Sequence, residues 1–313
     1  MKVTGIVLQS RSRQATIRPA LAFADIRLIL ALPFYFLLAW LVPERHWPRL
    51  CRWLVSYKHP TLNEAVLAGA LPAGEAKLIG AELDGHRLEH YFQYLREYFP
   101  GGWRSKLVLE GRQHLEQATA AGRGAILWVG HTVFHGLVLK KSLAEAGFRL
   151  NHFSRPEHGF SKTRFGIAFL NPIRSRVEDR YLRRRIVIER GREERAVRAA
   201  ARELAANGLV SITAGDWEGR QIAHIPMLGG SLPLATGAPA LALAAGALLL
   251  PVFVIRKHNA IHVLITAPID MGTPGSRDER VKRAMIEYAA RLEPVVRDYP
   301  SQWRGWSYLR PPC

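Results

Sequence analysis

Cysteine and acidic residues are scarce in this chain of 313 residues. Its two cysteines, Cys51 and Cys313, are too few for a disulfide framework or a cysteine zinc site, so a reduced, cytosol-facing setting is the simplest interpretation. Aspartate and glutamate total 26 against 44 lysines and arginines, which gives a formal net charge of +18 at pH 7. This excess predicts an anionic partner or surface: nucleic acid, membrane headgroups or an acidic protein.

Hydrophobic residues make up 48% of the chain, which is long enough to bury a full core. Near its start, residues 28–43 form a hydrophobic run of sixteen residues without a charge. A bilayer core of about 30 Å requires about 20 apolar residues in a helix, so this run is slightly short, and Pro33 weakens it further. We interpret it as a retained membrane anchor that either spans marginally or lies in the interface. The alternative is a buried core helix.

One stretch organises the rest of the chain: residues 125–139, AILWVGHTVFHGLVL. An apolar run that ends in a glycine and a histidine and then becomes helical is typical of a strand that delivers a polar group to a sheet edge. Strand and helix patterns alternate after it. This order predicts an α/β fold, with a mixed, largely parallel central sheet flanked by helices, preceded by a hydrophobic membrane-associating helix. We expect residues 1–58 to form the basic N-terminus and anchor, and residues 59–313 to form the α/β domain.

Four segments follow one another between residues 107 and 306. They read LEGRQHLEQATAAGRGAILWVGH, GLVSITAGD, IPMLGGSLPLATGAPALALAAGALLLPVFVIRK and YPSQWRGW. In order and spacing they resemble the lipid A biosynthesis acyltransferases of the bacterial inner membrane. The resemblance implies acyl transfer from acyl carrier protein or acyl-CoA to a hydroxyl of a glycolipid, such as a lipid A precursor, on the cytoplasmic membrane face, without a cofactor. We interpret the last segment as packing rather than chemistry.

In that family a histidine is followed five positions later by an acidic residue. The imidazole takes the proton from the attacking hydroxyl, and the carboxylate fixes its tautomer and stabilises the imidazolium. His131 occupies the histidine position here, but Gly136 stands where the acid is expected. The neighbouring His135 is a poor substitute, because it has no fixed negative charge at neutral pH. Either another acid takes the role or the usual mechanism is lost.

Asp216 is the candidate for a replacement acid, since it follows a predicted strand and matches an aspartate associated with the family's site. Its alternative role is a turn cap. Glu157 and Glu218 are weaker candidates. His131 could instead be a structural histidine at a strand end, although the resemblance favours catalysis. His131 and His135 also have the spacing of a metal pair, but no third ligand accompanies them, so we expect no metal.

Arginine is concentrated between residues 174 and 202, where eleven occur. Guanidinium groups suit phosphate, so this stretch predicts contact with a phosphorylated headgroup, a phosphopantetheine arm or an acidic carrier protein. By position, Arg183 or Arg185 resembles an arginine linked to the family's active site, and Arg155 and Arg184 are candidate substrate-binding residues. A solvated helix face is the alternative, mainly for residues 195–202. Aromatic residues are not interleaved with this run, so we expect no nucleic acid.

Residues 226–237 are rich in glycine, proline, serine and threonine between apolar segments. This composition predicts a loop that lines a groove for the acyl chain. Gly229 and Gly230 would permit close approach of a ligand, which makes them candidate substrate-binding residues. An ordinary turn is the alternative.

The sequence therefore favours a membrane-associated acyltransferase with His131 as its general base. The alternative is a non-catalytic relative that binds lipid or acyl carrier protein, because Gly136 replaces the expected acid.

Overall fold

The computed structural model describes residues 8–10, 18–55, 75–189, 191–215 and 221–311. The helices are α1 (Phe23–Leu41), α2 (Trp47–Val55), α3 (Glu75–Arg96), α4 (Arg112–Ala120), α5 (Leu137–Glu145), α6 (Pro172–Asp179), α7 (Glu193–Ala205), α8 (Gly237–Ala245) and α9 (Arg277–Asp298). The strands are β1 (Leu8–Ser10), β2 (Leu107–Glu110), β3 (Ala125–Val129), β4 (Leu150–Ser154), β5 (Leu182–Val187), β6 (Leu209–Thr213), β7 (Gln221–Met227), β8 (Gly230–Ala235), β9 (Leu248–Lys257) and β10 (Ala260–Ile265).

A seven-stranded sheet occupies the centre, in the order β2-β10-β9-β3-β6-β4-β5. Every residue of β3 is buried, as expected for a middle strand covered on both faces. It pairs in parallel with β9 and β6, and within this sheet the antiparallel pair is β9 with β10. The predicted mixed, largely parallel sheet flanked by helices is confirmed.

A second, three-stranded sheet corrects the expectation for residues 226–237. Most of this segment belongs to the β7–β8 hairpin rather than to a loop. Leu228 and Gly229 form its two-residue turn, with φ of 54° and 74°, as a type I′ hairpin requires. A side chain at Gly230 would come within 2.6 Å of the Arg310 carbonyl oxygen. Gly229 therefore lies in the turn of the hairpin, and Gly230 permits a close approach of the Arg310 backbone.

Helix α1 contains most of the apolar run and, by length and composition, could cross a membrane. One side of it packs on α3 and on the residues that follow it: Tyr35 contacts Phe92, and Trp40 stacks on Phe99 at a centroid distance of 5.5 Å. Its first turn is also fixed to the α/β domain, because Thr163 donates a 2.8 Å hydrogen bond to the buried Asp25 carboxylate. The opposite side exposes large apolar side chains: Phe23, Ile26, Leu30, Phe34, Leu37 and Leu41.

Candidate active site

His131 lies just beyond the carboxyl end of the middle strand β3. It is therefore at the carboxyl edge of the sheet, as the sequence predicts. Gly130 donates a backbone hydrogen bond of 2.7 Å to the Val252 carbonyl, which continues the pairing with β9 for one more residue. The chain then turns into a 3-10 helix, Val133–His135, and enters α5. This path leaves His131 partly exposed at the surface of an otherwise buried turn.

Two aromatic rings surround the His131 imidazole. The His135 ring lies at a centroid distance of 5.2 Å in a T-shaped arrangement, and the Tyr308 ring stacks at 5.7 Å. His135 donates from Nδ1 to the Thr132 carbonyl oxygen at 2.5 Å, which fixes its tautomer and orientation. His135 is therefore a packed, hydrogen-bonded side chain beside His131.

Electrostatics keep His131 neutral at pH 7. Burial lowers its pKa well below the usual value, and the charge of Arg304 adds the next largest effect, followed by His135, Arg87 and Arg155. An unprotonated imidazole can accept a proton from a hydroxyl, but such a low pKa makes it a weak base. Its strength would increase if negative charge entered the site.

The space beside Gly136 is closed to a side chain. A Cβ atom there would lie 2.5 Å from the Tyr94 hydroxyl and 3.0 Å from His90 Nε2. Tyr94 itself is fully buried and donates a 2.5 Å hydrogen bond to Glu178. The glycine is thus required by packing, and an acid at position 136 would need this region to rearrange.

Glu178 forms the centre of a buried charge cluster behind Gly136. Lys140 Nζ and Arg185 Nη2 lie 3.0 Å and 2.9 Å from its Oε2 atom, and His158 Nε2 lies 2.9 Å from both carboxylate oxygens. Burial alone would raise the pKa of Glu178, but His158, Lys140 and Arg185 hold it well below its usual value. Lys140 also donates to the Gly136 carbonyl at 3.2 Å, so the cluster supports the turn that carries His131.

The predicted arginines divide between this cluster and the surface. Arg185 is bound to Glu178 and Asp179, and Arg184 reaches Glu203 on α7 at 3.6 Å. Arg183 is exposed on β5, the strand at the sheet edge. Arg155 follows β4 and lies close enough for its charge to lower the pKa of His131. The structure therefore places Arg155 near the site and gives Arg185 a supporting position within the charge cluster.

Asp216 and Glu218 lie outside the described residues, so the pairing of Asp216 with His131 stays a prediction. Strand β6 runs parallel to β3 with Thr213 opposite Val129, which brings the chain to the edge that carries His131. Glu157 forms an ion pair with Arg18.

Among the described residues, His152, His158 and Glu178 form a group with spacing that could suit a metal ion. Two features favour a structural role for it. Lys140 and Arg185 already neutralise the Glu178 carboxylate at hydrogen-bond distance, and the His152 ring is bonded through Nδ1 to the Ser211 hydroxyl at 2.9 Å. A metal ion would have to compete with both cations.

Sequence reasoning missed Arg304, Tyr308 and Glu178. Arg304 belongs to the segment YPSQWRGW, which we interpret from sequence as packing, and Tyr308 follows that segment, yet Arg304 donates its backbone N–H to the His131 carbonyl oxygen at 2.9 Å. Arg304 and Tyr308 are so far from His131 along the chain that no sequence pattern links them to it. Glu178 lies within the arginine-rich stretch of residues 174–202. A carboxylate surrounded by so many arginines could have indicated an ion-pair cluster there.

No protein-family model matches the chain, and no curated protein matches it significantly in sequence. Among solved structures, it is similar to the crystal structure of the 1-acyl-sn-glycerophosphate (LPA) acyltransferase, PlsC, from Thermotoga maritima. The similarity has a TM-score of 0.40 and 14% sequence identity, over 90% of this chain and 99% of that chain. The function proposed below therefore rests on the residues of the site and on the sequence resemblance.

Proposed function

We propose that the protein is a membrane-associated acyltransferase that moves a fatty acyl chain from acyl carrier protein or acyl-CoA to a hydroxyl of a glycolipid such as a lipid A precursor. The observation that carries this proposal is His131: a neutral, partly exposed imidazole at the carboxyl edge of a largely parallel sheet, held near basic side chains. The carboxyl edge is where open α/β sheets bind ligands. The four sequence segments that resemble lipid A acyltransferases converge on the same chemistry.

The reaction follows from these groups. The acceptor hydroxyl gives its proton to the His131 imidazole while its oxygen attacks the thioester carbonyl carbon. The tetrahedral intermediate collapses as the carbon–sulfur bond breaks, and the imidazolium returns the proton to the departing thiolate. A positive environment stabilises the oxyanion of the intermediate, and Arg155 and Arg304 supply such charge near His131. Asp216 remains the candidate for the carboxylate that supports the imidazolium.

Attachment to the membrane comes from α1. Its large exposed apolar side chains can enter the acyl boundary of a bilayer, while its other side stays packed on α3. Because the first turn is fixed to the domain through Asp25, α1 lies in the interface rather than crossing the membrane. Arg27, Arg45, Arg49 and Arg52 on and after α1 suit anionic headgroups. Residues 1–58 then serve as the anchor and residues 59–313 as the catalytic part, at the cytoplasmic face of a bacterial inner membrane.

A second function, binding of lipid or acyl carrier protein without catalysis, is favoured by one observation. The space that a carboxylate at position 136 would need is filled by Tyr94 and His90. Under this alternative, His131 contributes to a binding surface only.

One experiment separates the two functions. Purified full-length protein in lipid vesicles is incubated with acyl carrier protein thioesters or acyl-CoA and a phosphorylated glucosamine glycolipid, and the lipids are analysed by mass spectrometry. We expect an acylated glycolipid from the wild type and none from His131→Ala. Saturable binding of acyl carrier protein with no product from any donor, and unchanged by His131→Ala, would establish the non-catalytic function.

A further inference from the structure

Residues 155–171 form an excursion between β4 and α6, and one buried side chain closes its base. The Asn171 side chain accepts two backbone N–H groups, at 2.8 and 2.9 Å, and donates to the Pro156 carbonyl oxygen at 3.2 Å. Strands β4 and β3 both run parallel to β6, so their carboxyl ends lie at the same edge of the sheet. The excursion therefore begins at the edge that carries His131.

The excursion is joined to the start of α1. Residues 164 and 165 donate their backbone N–H groups to the carbonyl oxygens of residues 19 and 20, both at 3.0 Å. The Thr163 hydroxyl, which donates to Asp25 in the first turn of α1, also accepts the first backbone N–H of the π-helical turn Gly166–Leu170, at 2.9 Å. Such turns are rare and are frequently found at functional sites. The π-helical turn and the start of α1 are thus parts of one hydrogen-bonded unit.

This unit presents large apolar side chains to solvent. Phe169 is 65% exposed, and Phe23, the first residue of α1, is 73% exposed. The Phe165 ring contacts the Phe169 ring at a centroid distance of 4.9 Å and is only partly buried. Leu21 is also exposed, and we name these four residues the aromatic patch. A single exposed apolar residue is ordinary, whereas a cluster of them marks an interaction surface.

Basic residues flank the aromatic patch. Lys162 and Arg164 are exposed on the excursion, and Arg27 is exposed on α1. The sequence contains no acidic residue between Glu157 and Glu178. Apolar side chains bordered by lysine and arginine are typical of segments that insert between the headgroups of an anionic bilayer. The charge of this surface therefore matches anionic lipid.

Helix α1 favours a bilayer over a protein as the partner of the patch. Its exposed apolar side begins at Phe23 and continues along a helix of 19 residues, which is about 28 Å long at 1.5 Å per residue. The patch extends this apolar side beyond the start of the helix. A lipid surface covers the helix and the patch together, because it has no edge at this scale.

We propose that the π-helical turn is a second membrane-inserting element, in which Phe165 and Phe169 enter the acyl boundary of an anionic bilayer beside Phe23. One inserted helix leaves the domain free to roll about the helix axis, whereas a second point of insertion fixes the roll. Since the excursion begins at the sheet edge that carries His131, the two elements hold that edge at a fixed orientation to the bilayer. This inference rests on the membrane attachment proposed above and adds a separate segment to it.

Insertion is tested with nitrobenzoxadiazole, a fluorophore that brightens in apolar surroundings, attached to single cysteines of the full-length protein. Phe169→Cys, Leu30→Cys and Val197→Cys are each made with Cys313→Ser, and the natural Cys51 is fully buried. Leu30 reports on α1, and Val197, which is 45% exposed on α7, is the control. Each protein is mixed with vesicles of phosphatidylethanolamine and phosphatidylglycerol, with and without a quencher in the acyl chains. Thermal unfolding verifies the fold of each variant.

We expect the fluorescence to rise severalfold, and to be quenched, at positions 169 and 30 but not at position 197. A rise at position 30 without one at position 169 would overturn the proposal and leave attachment through α1 intact. A rise at neither position would refute both, and equal rises at all three would show unspecific adsorption, which also overturns it. A rise at position 169 that needs no vesicles and grows with protein concentration would show that a second copy of the chain covers the patch instead.

The contribution of Phe169 to binding is measured by titrating unlabelled variants with the same vesicles. Phe169→Ser should weaken partitioning about tenfold, which corresponds to about 1.4 kcal/mol, because the transfer of an aromatic ring out of water is lost. Phe169→Leu should retain most of the affinity, and the control Val197→Ser should bind like the wild type. Equal partitioning of Phe169→Ser and Val197→Ser would contradict the proposal, whether or not the protein has acyltransferase activity.

Discussion

Replacing Glu178 with glutamine should destabilise the protein strongly, although the side chain keeps its size. Glu178 is fully buried, and Lys140 beside it is only 2% exposed. Glutamine would leave Lys140 and Arg185 within 3.0 Å of a neutral amide, with their charges uncompensated in the interior. Loss of one partner from a buried ionic group typically costs about 3–5 kcal/mol.

The predicted loss of unfolding free energy in Glu178→Gln can be converted into a change in melting temperature. An unfolding entropy of about 2.1 cal/mol/K per residue, applied to 313 residues, turns that loss into a decrease of roughly 5–8 °C. Adding Lys140→Met to Glu178→Gln should recover part of it, because one uncompensated cation is removed. The two changes should therefore be non-additive by about 0.5–3 kcal/mol.

Thermal and urea unfolding of the two single variants and the double variant give this coupling directly. The matched control is Glu194→Gln, which removes a carboxylate from an exposed ion pair with Arg198 and should leave the melting temperature unchanged. A Glu178→Gln protein as stable as the control, or strict additivity with Lys140→Met, would refute the role given to the cluster.

Three further predictions concern acidity, packing and membrane attachment. Burial lowers the pKa values of five histidines, to about 3 for one and about 4 for another, so between pH 6 and 5 the unfolded chain binds protons that the folded protein does not. Stability should therefore be highest at and above neutral pH and fall steadily as the pH decreases through 6.5 toward 5, and urea unfolding that is flat from pH 7 to 5 would contradict this. The five are His90, His131, His135, His152 and His158. Gly136→Ala should destabilise by about 1–3 kcal/mol because its Cβ would lie 2.5 Å from the Tyr94 hydroxyl, and the thermal stability of Gly136→Ala/Tyr94→Phe should be closer to the wild type than that of Gly136→Ala alone. Changing Phe23, Leu30 and Phe34 to serine on the exposed side of α1 should release the protein from anionic vesicles in a flotation assay without unfolding it, and unchanged flotation would count against interfacial attachment.

The fold could largely be predicted from the sequence, because burial patterns decide it. The apolar run that ends in Gly130 and His131 predicted a strand, and β3 occupies Ala125–Val129. The hairpin of β7 and β8 was missed for a physical reason. Glycine and proline mark turns in short windows, whereas strands β7 and β8 are stabilised by pairing with each other across a tight turn.

The site could be predicted only in part. His131 was located correctly at the sheet edge, because a strand end delivers a residue there whatever the rest of the chain does. Arg304 could not be found, since its approach to His131 depends on how the C-terminal segment folds back. The same holds for Tyr94, which fills the space beside Gly136 from a helix 42 residues away in sequence. The sequence shows the missing acid at position 136, but not what occupies its place.

The most direct measurement of the central claim is the rate of acyl transfer in His131→Ala compared with His135→Ala. General-base assistance is typically about 10²- to 10⁴-fold, so His131→Ala should lose at least a hundredfold in kcat with a similar KM. His135→Ala should lose much less, because that ring packs against His131 and bonds to a backbone carbonyl. If both variants turn over at comparable rates while remaining folded, His131 is not the general base.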